Sequence, residues 1–134
     1  LQIINLLIEA QRRLGMSYLL ISHDLATVRY QADEVAVMYR GRIVEHGDAE
    51  SVFDTPLHPY TQALLAAARF VRPEDRDNGG ATVVADETDG SEQGCRFAGR
   101  CPFVRPVCRR VDPDLAQPRP GHAVACHLHN SLGG

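Results

Sequence analysis

Apolar side chains recur at three- and four-residue intervals at the start of the chain. Ile3, Ile4, Leu7, Ile8 and Leu14 keep to one face, and Gly15 follows as a stop. That spacing predicts an amphipathic helix. Ser17 to Ser22 then holds a continuous apolar run, Tyr-Leu-Leu-Ile, with the length and character of a strand buried on both faces of a parallel sheet. His23-Asp24 closes the run and opens a helix from Leu25 to about Ala32. Glu34 to Tyr39 and Arg42 to His46 flank Arg40-Gly41, which predicts a β-hairpin with a two-residue turn, Gly41 supplying the positive φ that such turns require. Asp48 can cap a short helix reaching Phe53, and Pro56 ends it. Pro59 then starts a further helix through Phe70, because proline at the first helical position loses only an amide that would be unpaired anyway. Helices alternating with strands make this an α/β sequence.

Beyond residue 70 the pattern fades, and charge takes over as the guide. The 134 residues carry 14 basic side chains, all arginine, against 17 acidic ones, a net charge of −3. Residues 1–70 hold six Arg and eight acids, 71–94 two Arg and seven acids, and 95–134 six Arg and two acids. The acidic middle, with Asn78-Gly79-Gly80 and Asp89-Gly90-Ser91, has too few apolar residues to offset the entropy of ordering it and reads as a linker. A short strand is conceivable there at Thr82-Val83-Val84. The weakly acidic balance leaves no footprint for nucleic acid, and no apolar run approaches the roughly 18 residues of a membrane span. The opening Leu1-Gln2-Ile3-Ile4 has no Met, basic n-region or helix cap, so the chain is expected to be a C-terminal piece of a longer protein.

Ligands of open α/β sheets sit at the carboxyl ends of the strands, which makes His23, at the tip of Leu19-Leu20-Ile21-Ser22, a site candidate. The order of elements adds to this. A helix, then Tyr-Leu-Leu-Ile-Ser-His-Asp-Leu, then Ala-Asp-Glu-Val-Ala-Val-Met-Tyr-Arg-Gly-Arg-Ile-Val-Glu-His-Gly, resembles the stretch after the Walker B strand and D-loop of ATP-binding-cassette ATPases. Phe53-Asp-Thr-Pro-Leu-His-Pro-Tyr-Thr-Gln-Ala-Leu-Leu and the cysteine-bearing end resemble the dipeptide, oligopeptide and nickel importer subfamily. The resemblance implies a P-loop ATPase core ending in residues 1–54, a subfamily helix at 55–70, the linker at 71–94 and a small loop-rich extension at 95–134. It also assigns His23 the role of switch histidine, contacting the γ-phosphate and the attacking water. An imidazole suits that task, since fixed donors stabilise the charge that develops in phosphoryl transfer. No Gly-x-x-x-x-Gly-Lys-Ser/Thr, signature sequence or Asp-Glu strand end occurs, and a chain without lysine has no Walker A lysine. ATP and magnesium would therefore be held by residues preceding Leu1, and this chain alone is expected to be inactive.

Cys95, Cys101, Cys108 and Cys126 follow the spacing C-x5-C-x6-C-x17-C among prolines, where few apolar side chains could support a fold. Two disulfides, a zinc site, an iron-sulfur cluster and four free thiols are all open readings. His122, His127 and His129 stand nearby as spare zinc ligands. The resemblance favours a 4Fe-4S cluster on the four cysteines, with Arg96, Arg100, Arg105, Arg109 and Arg110 either offsetting its charge or forming a solvated surface. His58-Pro59-Tyr60 is explained by helix initiation and packing, and Asp33-Glu34 by a solvated turn. Taken together, the resemblance implies the ATP-hydrolysing subunit of an importer of peptides or a related solute. It would work at the cytoplasmic face of the membrane with a second ATPase subunit, two permeases and, indirectly, an external solute-binding protein. The alternative is a zinc-binding interaction module on an α/β scaffold.

Overall fold

The computed structural model describes residues 2–69 and 93–130, in two compact units, Leu1–Asp33 and Glu34–Gly134. The expected linker and the strand considered at 82–84 lie outside the described residues.

In the first unit, helix α1 (Gln2–Leu14) ends at Gly15 as its apolar spacing predicts, and α2 (Leu25–Gln31) starts behind Asp24. Neither helix buries a residue fully. Between them, residues 17–22 form no strand, and Leu19 and Ile21 are 91% and 90% exposed. A parallel strand needs a hydrogen-bonding neighbour at its side, and among the described residues nothing pairs with this run. The run thus has the composition of a buried strand without the ladder that would make it one. Among the described residues the parallel sheet expected there is not formed.

The second unit is built on an antiparallel sheet of order β1-β2-β4-β3, comprising β1 (Glu34–Tyr39), β2 (Arg42–Asp48), β4 (His122–Val124) and β3 (Ala116–Arg119). Arg40 and Gly41, with φ of 45° and 78°, make the two-residue hairpin turn. Register slips by one residue past Val37, which faces Glu45 while Met38 faces Ile43, so Val44 is the extra residue of a β-bulge. The bulge has a decisive effect on burial. Val44 and Glu45, adjacent in sequence, are both buried, whereas plain alternation would have sent them to opposite faces.

Helices α3 (Ala49–Asp54) and α4 (Pro59–Arg69) follow, α3 capped by Asp48, whose carboxylate accepts from the Ser51 amide at 2.9 Å and hydroxyl at 2.7 Å. The cysteine-bearing segment contributes α5 (Pro106–Arg110), α6 (His127–Asn130) and the strands β3 and β4. Because β4 pairs with β2 through Glu45, His46 and Gly47, this segment completes the hairpin's sheet. One core joins Val37, Tyr39, Val44 and Val52 to Phe97, with Cys95 and Cys101 packed against it, and a second joins Leu57, Val124 and Cys126. The described fold is therefore mixed helix and strand, with an antiparallel sheet.

Candidate functional site

The sequence-derived candidates fall in different units. His23 belongs to the first, where it is exposed in the turn before α2. Local bonds fix that turn: the Asp24 amide donates to Ser22 Oγ at 3.0 Å, and the Asp24 carboxylate accepts from the Ala26 amide at 3.2 Å and from Thr27 Oγ1 at 2.6 Å. The Thr27 hydroxyl is the main reason that the Asp24 carboxyl lies below its ordinary value. The imidazole thus projects from a turn held by its neighbours.

The four cysteines belong to the second unit and converge there. All of them line one cavity, closed by His58, Phe97, Phe103 and His127 among others. The Cys95 amide donates to the Cys108 carbonyl at 2.7 Å, which brings the first and third cysteines together. Gly94 is required for that approach, because a Cβ at this position would lie 2.4 Å from the same carbonyl oxygen. None of the four is in a disulfide. Burial pushes the thiols of Cys95, Cys101 and Cys126 up from their ordinary values, and neighbouring sulfurs add to the effect.

As a donor set, four thiols on one cavity suit a thiolate-bound group. Their spacing does not close into a cage. Among the described residues no three His, Cys, Asp or Glu side chains come together closely enough to hold a metal ion. The space between the walls is about 10 Å³, the room of one water molecule.

The histidines considered as spare zinc ligands are engaged elsewhere. His122 Nε2 donates to Glu45 Oε1 at 2.6 Å, His127 Nε2 to the Val111 carbonyl at 2.7 Å, and His129 Nε2 to the Leu57 carbonyl at 2.8 Å. Each ring nitrogen so engaged fastens one segment of the chain to another. His58 is buried, and its Nδ1 accepts from the Tyr60 amide at 3.0 Å, in keeping with a role in starting α4. Glu34 lies 3.3 Å from His46 on the neighbouring strand, an exposed pair like the solvated turn expected for Asp33-Glu34.

Sequence reasoning overlooked Glu45. It is fully buried, and besides His122 it accepts from the Leu57 amide at 2.7 Å through Oε1 and from the His58 amide at 2.9 Å through Oε2. The one available signal is an acidic residue inside an apolar strand, which without the bulge reads as facing solvent.

Residues 44–108 match the C-terminal region of oligopeptide/dipeptide transporters. Over 132 residues the chain is 39% identical to the oligopeptide transport ATP-binding protein AppF of Bacillus subtilis, covering 96% of this chain and 40% of that protein. It is 42% identical over 131 residues to a peptide import ATP-binding protein of Brucella abortus, covering 96% and 38%, and 42% over 132 residues to one of Brucella ovis, covering 96% and 41%. The chain therefore spans about two-fifths of the length of these relatives. The chain is thus similar in its 44–108 region to the C-terminal region of oligopeptide/dipeptide transporters, and over nearly all of its length to peptide-import ATP-binding proteins.

Proposed function

We propose that the chain is the C-terminal part of the ATP-hydrolysing subunit of an ATP-binding-cassette importer of peptides or a related solute. Similarity over 96% of the chain to peptide-import ATP-binding proteins is the observation that carries this reading. The whole protein would use ATP and magnesium, pair with a second ATPase subunit and sit beneath two permeases at the cytoplasmic membrane face, served by an external solute-binding protein. Among the described residues no helix is long and apolar enough to cross a membrane.

In this reading His23 is the switch histidine. One ring nitrogen donates to an oxygen of the γ-phosphate, where negative charge develops during phosphoryl transfer, and the ring helps hold the attacking water. Substituting His23→Ala in the complete ATPase should lower turnover by about 10²- to 10³-fold with little change in nucleotide affinity. Wild-type hydrolysis in that variant would remove His23 from the mechanism.

Cys95, Cys101, Cys108 and Cys126 would bind a 4Fe-4S cluster, a reading supported by the convergence of all four on one cavity. Such a group supplies a redox-sensitive cross-link among four thiolates. The protein's part is to bring the sulfurs together and to exclude water with Phe97 and Phe103. Assembly would require the cavity walls to part and the raised thiols to lose their protons. Anaerobically purified protein should contain about four iron atoms and as much acid-labile sulfide per chain, both lost in Cys108→Ser. One zinc per chain without sulfide would favour the zinc-module alternative, and neither metal would dismiss both.

A further inference from the structure

The cavity bearing the cysteines is assembled from three separate stretches of chain. His58 and Pro59 come from the turn that starts α4, Cys95 to Cys108 from the loop and α5, and Cys126 to Leu128 from the segment after β4. Something must set the distance between these pieces. The buried carboxylate of Glu45 lies where the first and third meet. It accepts three hydrogen bonds, from the amides of Leu57 and His58 on one side and from His122 of β4 on the other, at 2.7, 2.9 and 2.6 Å.

Two further bonds tie the same pieces. The Ala125 amide, next to Cys126, donates to the Val44 carbonyl at 2.8 Å, and His129 Nε2 donates to the Leu57 carbonyl at 2.8 Å. An ionised carboxylate is an acceptor only, and burying it is tolerable only when donors satisfy it. Glu45 therefore requires the turn and the strand to be in place together. We propose that Glu45 is the positioning residue of the four-cysteine site, its carboxylate holding the turn that carries His58 at a fixed distance from the strand that leads into Cys126. The assignment rests on reading the cysteines as one ligand set.

Glutamine at position 45 has the same shape but a single acceptor oxygen, and its NH2 group would confront an amide donor. In the full chain, stripped of metal and reduced, alkylation of each cysteine by N-ethylmaleimide can be followed by peptide mass spectrometry. Glu45→Gln should raise the rate at Cys126 at least about tenfold, with a smaller change at Cys101. His122→Gln keeps a donor facing the carboxylate and should stay near the wild-type rate, while Val52→Ala, which weakens the core elsewhere, should not reproduce the Cys126 effect. An unchanged Cys126 rate in Glu45→Gln would overturn the assignment. So would equal acceleration at all four cysteines with loss of helical circular dichroism, which would make Glu45 a general core residue. Because the rates are read without metal, absence of iron from the wild type would sink the cluster reading and leave the Glu45 result standing. Normal iron with an unchanged Cys126 rate would do the reverse.

Discussion

His58 carries a titratable ring into one of the most enclosed positions of the fold, where it is 1% exposed and its ring centre lies 5.8 Å from that of Phe97. Burial lowers its pKa from 6.5 to about 4, against the opposing pull of the Glu45 carboxylate and with a small further push from His129. The neutral ring is therefore the folded form at pH 7, with the proton on Nε2 because Nδ1 accepts from the Tyr60 amide. The unfolded chain binds a proton near the ordinary value, so the contribution to stability is complete above about 6.5 and is lost as the pH falls toward 4. The full loss would be on the order of 3 kcal/mol. Urea titrations across this range, on the wild type and on His58→Asn, isolate it from other groups. The stability difference between the two proteins should shrink as the pH falls, and a difference independent of pH would show that His58 does not titrate in this way.

At the scale of elements, what was legible in the sequence was local. The face formed by Ile3, Leu7 and Leu14, the helix opened by His23-Asp24, the cap at Asp48, the Arg40-Gly41 turn and the proline opening α4 each depend on residues within a few positions, and each of these elements appears where it was expected. Elements that depend on distant partners were not legible. The run at 17–22 has the right composition for a buried strand, but composition cannot supply the neighbour that a ladder needs. Conversely, β4 is three residues long and β3 contains Pro118, which restricts it to a sheet edge, so neither announces itself. Their place in the sheet comes from pairing with β2, some 77 positions from His122 to Glu45. The bulge at Val44 matters as much. It leaves Ile43 43% exposed and buries Glu45 completely, the reverse of what hydrophobicity alone suggests. The cysteine spacing alone left several pairings and ligand sets open, and the four side chains line one cavity. Glu45, which bonds the Leu57 and His58 amides and His122, lies outside the cysteine segment, and its burial could not be read from that segment.

Across the whole second unit, the boundary that composition draws before Cys95 does not coincide with a boundary in packing. Phe97 lies 5.4 Å from Tyr39 and 5.6 Å from Tyr60, ring centre to ring centre, so an aromatic group from the cysteine segment helps complete the core of the hairpin and α4. Arg96 donates to the Arg40 carbonyl at the hairpin turn, and Arg42 pairs with Asp112. Together with the β2–β4 ladder, these contacts imply that residues 34–69 and 93–130 open as one cooperative body. Leu57 tests this because it is buried against Val124 and Cys126, while its own backbone belongs to the α4 turn. Leu57→Ala should cost about 2–5 kcal/mol, the range for truncating a buried leucine. If the body is cooperative, native-state hydrogen exchange should quicken to a similar degree in peptides covering 34–48 and 116–126, since both would exchange through the same opening. Peptides from α1, which lies in the other unit, should be unaffected. Faster exchange confined to 116–126, with 34–48 as protected as in the wild type, would mean that the hairpin stands alone and that the cysteine segment is an appendage to it.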